Sequence, residues 1–128
     1  MTKEISNKER RALWEQSLIY DKTLDGNGLG KMWHPEGTFQ IGSMPEVKGN
    51  ENIAGFFKHF FSMGLFKSLE HEMVEVWDLP EALIYNGIAI YNRPDGSVLR
   101  TPYVNVLKYK EGKFWSYNVF IDTKPLMS

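Results

Sequence analysis

Residues 98–122 constrain the fold more than any other stretch: VLRTPYVNVLKYK, a turn at Glu111-Gly112, then KFWSYNVFID. Two long runs rich in Val, Tyr, Phe, Trp and Ile joined by a short glycine turn are the signature of a β-hairpin. Side chains alternate along a strand, so Thr101, Tyr103, Asn105, Leu107 and Tyr109 share one face of the first run. Trp115, Tyr117, Val119 and Ile121 share a face of the second, and that set is too apolar to leave in water. With the two faces coincident, Asn105 is a lone amide in an apolar wall. Leaving it unsatisfied costs about 1–3 kcal/mol, so a water, a backbone group or a ligand must meet it. The opposite face carries Val98, Arg100, Val104, Val106, Lys108 and Lys110, with Phe114 and Phe120 from the second run. So much apolar area on an outer face suits a homodimer interface.

Upstream, residues 3–24 lack Gly and Pro, and Leu13, Ser17, Tyr20 and Leu24 form a stripe at helical spacing with Trp14 and Leu18 beside it. DGNGLG breaks this helix, and LGKMWHPEG reads as a short second helix or turn with Met32 and Trp33 inward. TFQIG is a short strand. After the loop SMPEVKG, Asn50 is the expected N-cap of a helix whose Ile53, Phe56, Phe57, Phe60 and Phe61 form one apolar face, with Gly64 as the stop. From Lys67 onward the chain reads as a meander of long strands parted by DLPE, RPDG and EG. Leu69, His71 and Met73 alternate against Val74 and Val76, which a bulge near Met73 reconciles. Helices followed by a meander predict an α+β fold.

The 128 residues are most simply one domain, 1–128. A formal net charge of -1 with interspersed signs gives no basic field for nucleic acid and no polybasic membrane patch. Without cysteine there is no disulfide, thiolate ligand or thiol nucleophile. The start, MTKEISNKERRALW, is charged where a signal peptide is apolar, and no run of about 18 apolar residues exists, so a cytoplasmic protein is the default expectation.

The order helix, short helix, strand, loop, helix, then a meander closing in GKFWSYNVFID resembles the cone-shaped NTF2-like fold, in particular its SnoaL-like and ketosteroid-isomerase-like branch. The resemblance spans residues 8–126. It rests on Tyr20-Asp21 followed by DGNG and Trp33, the approach from Pro45 to Gly49, Thr101-Pro102-Tyr103, and the run from Gly112-Lys113 to Asp122. It implies a curved mixed or antiparallel sheet with about three N-terminal helices packed on its concave face, one deep apolar pocket, no cofactor, and often a homodimer through the outer sheet face. The steroid isomerase pattern is mostly missing: its helix tyrosine falls near Ser17, its general base near Gln40 or Ile41, and its strand aspartate at Asn105. Limonene epoxide hydrolase fits no better, since its polar groups fall at Phe39, Ile41 and Val119. Scytalone dehydratase is more similar. Tyr20-Asp21, His71 and Asn105 match its Tyr-Asp pair, a sheet histidine and an asparagine, while its second histidine has no counterpart in LIYNGIAIYN.

His71, Asp21, Tyr20 and Asn105 are therefore the candidate catalytic residues, and Trp14, Ser17, Phe39, Phe57, Met73, Tyr103, Tyr117 and Val119 the candidate ligand-binding wall. Imidazole titrates near neutrality and suits acid/base work. Each has a plainer reading: His71 as a strand histidine beside Glu70 and Glu72, Asp21 as a solvated helix-end residue, Tyr20 as a packed tyrosine. His34 and His59 lack partners at a ligand spacing and read as surface residues, so no metal is expected; Asp122 reads as structural. The expected function is binding of a small, largely apolar, cyclic or polyketide-like molecule, with cofactor-independent dehydration, isomerisation or cyclisation. The alternative is a non-catalytic binding or interaction module.

Overall fold

The computed structural model describes residues 7–127. The chain runs α1 (Asn7–Thr23), α2 (Gly26–Gly30), β1 (Trp33–Ile41), β2 (Val47–Lys48), α3 (Asn50–Ser62), β3 (Ser68–Asp78), β4 (Leu83–Asn92), β5 (Val98–Lys110), β6 (Lys113–Ile121) and α4 (Lys124–Met127). The expected helical residues 3–6 lie outside the described residues. The strands form one curved sheet in the order β2-β1-β6-β5-β4-β3, with β1 parallel to β6 and the other pairs antiparallel. Among the described residues four helices accompany it, not about three, because the segment after β6 adds a short turn of helix.

Helix α1 stops at Leu24, which takes φ 55°. Leu24 N–H donates to Asp21 O at 3.2 Å and Asp25 N–H to Tyr20 O at 2.9 Å, a Schellman closure with leucine where glycine is usual. The Asp25 carboxylate then accepts from Gly28 N–H at 2.9 Å and caps α2. The second helix therefore lies within GNGLG, one step before LGKMWHPEG. Residues 33–37 start β1 instead, because sheet pairing captures them: Phe114 N–H donates to Met32 O at 2.9 Å and Trp33 pairs with Phe114. At α3 the cap is Gly49 rather than Asn50, since the residue entering the helix takes φ 93°, which glycine tolerates and asparagine does not favour. Ile53, Phe57 and Phe60 are buried as the spacing predicts, with Phe56 and Phe61 partly so.

Besides a register shift between Trp33 and Thr38 of β1, two bulges set which side chains face inward. In β3 the register slips between Met73 and Glu75, as its uneven alternation predicts. Gly87 lies opposite, where a Cβ would stand 2.2 Å from Glu72 O. In the hairpin, Glu111 and Gly112 both have positive φ, as a two-residue turn matched to strand twist requires. The register then shifts: Lys110 pairs with Lys113 and Tyr109 with Phe114, but Lys108 pairs with Ser116. Trp115 is the extra residue. Strict alternation thus fails there, and two expectations with it. Phe114, expected outside, is 0% exposed in the core. Trp115, expected on the pocket face, lies under Lys110 Nζ, 4.2 Å from its ring centre, and beside His34. Beyond the bulge the faces fall as expected, with Tyr117 buried and Phe120, opposite Val104, exposed on the outer face. Asp122, past the strand, accepts from Lys124 N–H at 3.0 Å in the turn that leads into α4.

Candidate functional site

A cavity of about 50 Å³ lies between the concave sheet and the helices. Aromatic rings make much of its wall, including Trp33, Phe39, Phe57 and Tyr91. Two polar groups enter it from different parts of the chain.

The first is an acid–imidazole pair. The closure of α1 puts Asp21 in its last turn, and alternation along β3 turns His71 inward while Glu70 pairs outward with Lys22 and Glu72 with Arg100. His71 Nε2 stands 3.1 Å from Asp21 Oδ2, with the two side chains 9% and 15% exposed. Bonded to an ionised carboxylate, which only accepts, a neutral ring holds its proton on Nε2 and its lone pair on Nδ1. Nδ1 is buried and meets no partner among the described residues. His71 and Asp21 both line the cavity.

The second is a chain of hydroxyls. Asn105 Nδ2 donates to Tyr85 Oη at 2.8 Å, and the Tyr85 and Tyr117 hydroxyls share the next hydrogen bond. Either hydroxyl can donate in that bond, and Tyr117 lines the cavity while Tyr85 does not. Asn105, 2% exposed, keeps a buried Oδ1 with no partner among the described residues. Burial pushes the Tyr85 hydroxyl up to about 12 and raises Tyr117 and Tyr103 in the same direction, with the charge of Asp21 adding to each. All three remain neutral donors at ordinary pH.

Of the expected residues, Asp21, His71, Asn105, Ser17, Phe39, Phe57, Tyr103, Tyr117 and Val119 line one cavity. Three do not. Tyr20 packs against Gly28 at the corner of α1 and α2, because its neighbour Asp21 takes the inward direction at the end of the helix. Trp14 sits behind the wall with its ring centre 4.9 Å from that of Tyr85. Met73 lies beside the wall and accepts from the Tyr103 hydroxyl. Ser17 is 1% exposed and donates to Trp14 O. His59 is exposed as expected, while His34 is mostly covered by Trp115 and faces Glu111 at 3.6 Å. Tyr85 was not expected at all. Its signal is present in LIYNGIAIYN, whose alternation faces Leu83, Tyr85, Gly87, Ala89 and Tyr91 inward, but its pairing with Asn105 needs the register across RPDG.

No protein-family model matches the chain, and no curated protein matches it in sequence. Solved structures do. A candidate isomerase from Bacillus subtilis superposes with TM-score 0.76 at 13% identity, over 92% of this chain and 90% of that one. A candidate SnoaL-like polyketide cyclase from Jannaschia sp. CCS1 gives 0.69 at 18% identity, over 98% and 94%. A hypothetical protein with a ketosteroid isomerase-like fold from Catenulispora acidiphila, in complex with trimethylamine, gives 0.73 at 11%, over 84% and 83%. No described helix is long and apolar enough to cross a membrane. At these identities the likeness is one of architecture, and the chain has the NTF2-like fold shared by ketosteroid isomerase-like and SnoaL-like structures.

Proposed function

We propose that this protein binds a small, largely apolar molecule bearing a carbonyl oxygen and moves a proton on it without a cofactor, as a lyase or isomerase. One observation supports the reading above others: His71, held by Asp21, lines the same apolar cavity as Asn105 and Tyr117, which are joined through Tyr85 behind the wall. His71 Nδ1 takes a proton from the carbon next to the carbonyl, which breaks the C–H bond and leaves its electron pair as an enolate. The Tyr117 hydroxyl donates to the enolate oxygen, and Tyr85 and Asn105 polarise that donor from behind. Tyr117 thus takes the role expected of Tyr20. In a conjugated enolate, return of the proton from His71 to the γ-carbon is isomerisation; expulsion of a hydroxyl from the β-carbon as water, with the proton that His71 took, is dehydration.

Cavity size sets the ligand. A void of about 150 Å³ holds benzene, so about 50 Å³ accepts a molecule of a few heavy atoms or the tip of a longer one. That small volume is also what favours the second reading, a non-catalytic binding module. Butanone in deuterated buffer separates the two: an enzyme exchanges its α-protons faster than a heat-unfolded sample, and a binder does not. We also infer that two copies pair through the outer face, where Val98, Val104 and Phe120 are exposed. Sedimentation of a Phe120→Glu variant as a monomer beside a wild-type dimer is the expected result, and a monomeric wild type overturns it.

A further inference from the structure

Tyr103 occupies the middle of the site. Its ring centre lies 5.4 Å from that of His71 and 5.6 Å from that of Tyr85, edge to face with both. The ring is thus clamped between the two polar groups already described, and Tyr103 itself lines the cavity. Its hydroxyl is spent on a poor partner. The bulge between Met73 and Glu75 leaves Met73 pairing with Gly87 next to Tyr103, and the Tyr103 hydroxyl donates to Met73 Sδ at 3.4 Å. A thioether is a weak acceptor. Burial holds the phenol protonated, so it stays a donor.

We propose that Tyr103 is a ligand-binding donor parked on Met73: when a ligand enters, the hydroxyl turns about its C–O bond and exchanges the Met73 sulfur for the ligand's carbonyl oxygen. No ring has to move, because the contacts with His71 and Tyr85 fix the plane and leave only the O–H torsion free. The exchange is favourable because a carbonyl oxygen is the better acceptor in an apolar enclosure. The site then selects carbonyl compounds over hydrocarbons of equal size through a residue separate from the acid–imidazole pair. Met73 acts as the resting partner that keeps this hydroxyl satisfied in the empty cavity.

This proposal rests on the cavity being a carbonyl site, and the test separates the two. Butanone reports the oxygen contact and xenon reports the apolar cavity alone. Tyr103→Phe is expected to weaken butanone binding about three- to tenfold, to leave xenon binding within twofold, and to shift the carbonyl stretching band of bound butanone toward its free value. Met73→Leu removes the resting partner without touching the ligand and is expected to tighten butanone binding a few-fold. Tyr103→Phe binding butanone like wild type, with the carbonyl band unmoved, overturns the proposal and leaves the carbonyl site standing. Failure of the wild type to bind butanone while it binds xenon overturns both. Thermal melts of each variant check the fold, and Met73→Leu retains a reading if Tyr103→Phe unfolds.

Discussion

Asp21 Oδ2 and His71 Nε2 meet at 3.1 Å across 50 positions of sequence, one at the end of the first helix and the other on the far edge strand of the sheet. The contact sets the tautomer of a neutral imidazole, whose Nδ1 is buried and meets no partner among the described residues. Asp21→Asn keeps the volume but offers an amide that can donate as well as accept, so both tautomers become available. The expected outcome is an α-proton exchange rate lowered at least tenfold, with thermal stability changed by no more than about 1 kcal/mol. Exchange kinetics beside a thermal melt check it.

Tyr85 is the middle of the hydroxyl chain and 0% exposed. Tyr85→Phe leaves Asn105 Nδ2 and the Tyr117 hydroxyl without their shared partner in a buried place. That costs about 1–3 kcal/mol of stability, and weaker support for the Tyr117 donor lowers exchange as well. Urea unfolding reads the first effect. A midpoint unchanged from wild type contradicts the assigned network.

Alkaline stability follows from the same tyrosine. Its folded value of about 12 lies above the 10.0 of an unperturbed tyrosine. Between those two values the unfolded chain has lost a proton that the folded chain keeps. The stabilisation is therefore complete below pH 10 and drains away as pH rises, by about 1.4 kcal/mol per pH unit for this one group, levelling off near 12. Urea midpoints at about pH 9 and about pH 11 measure it, and the slope is expected to be shallower in Tyr85→Phe.

Glu111 holds φ 54° in the hairpin turn without the freedom of glycine. Asparagine tolerates that conformation better, and Asn-Gly is the favoured pair there. Glu111→Asn should gain about 0.5–1 kcal/mol, less whatever the exposed contact with His34 supplies. Thermal melting detects the gain as a higher midpoint.

Alternation and turn chemistry made much of this fold readable, because each strand of the meander is long and bounded by Gly, Pro or Asp. They failed where one residue changes the phase. Nothing in KFWSYNVFID marks Trp115 as a bulge, and without it Phe114 falls on the wrong face. The stop of α1 was equally hidden, since Leu24 adopts a glycine conformation that its side chain does not announce. The site was legible where a single residue stands out, as Asn105 does among apolar neighbours and His71 does between paired glutamates. It was illegible where a position depends on which strand or helix lies opposite, which is why Tyr85 went unseen and Tyr20, expected at the cavity, packs at the corner of α1 and α2 instead.

The most direct measurement is the rate at which the protein exchanges the α-protons of butanone for deuterium, compared between wild type and His71→Ala. Exchange well above the unfolded control in wild type and at control level in a folded His71→Ala is the predicted result. Equal rates in the two proteins would remove His71 as the base, and no exchange in either would leave the cavity a binding site without chemistry.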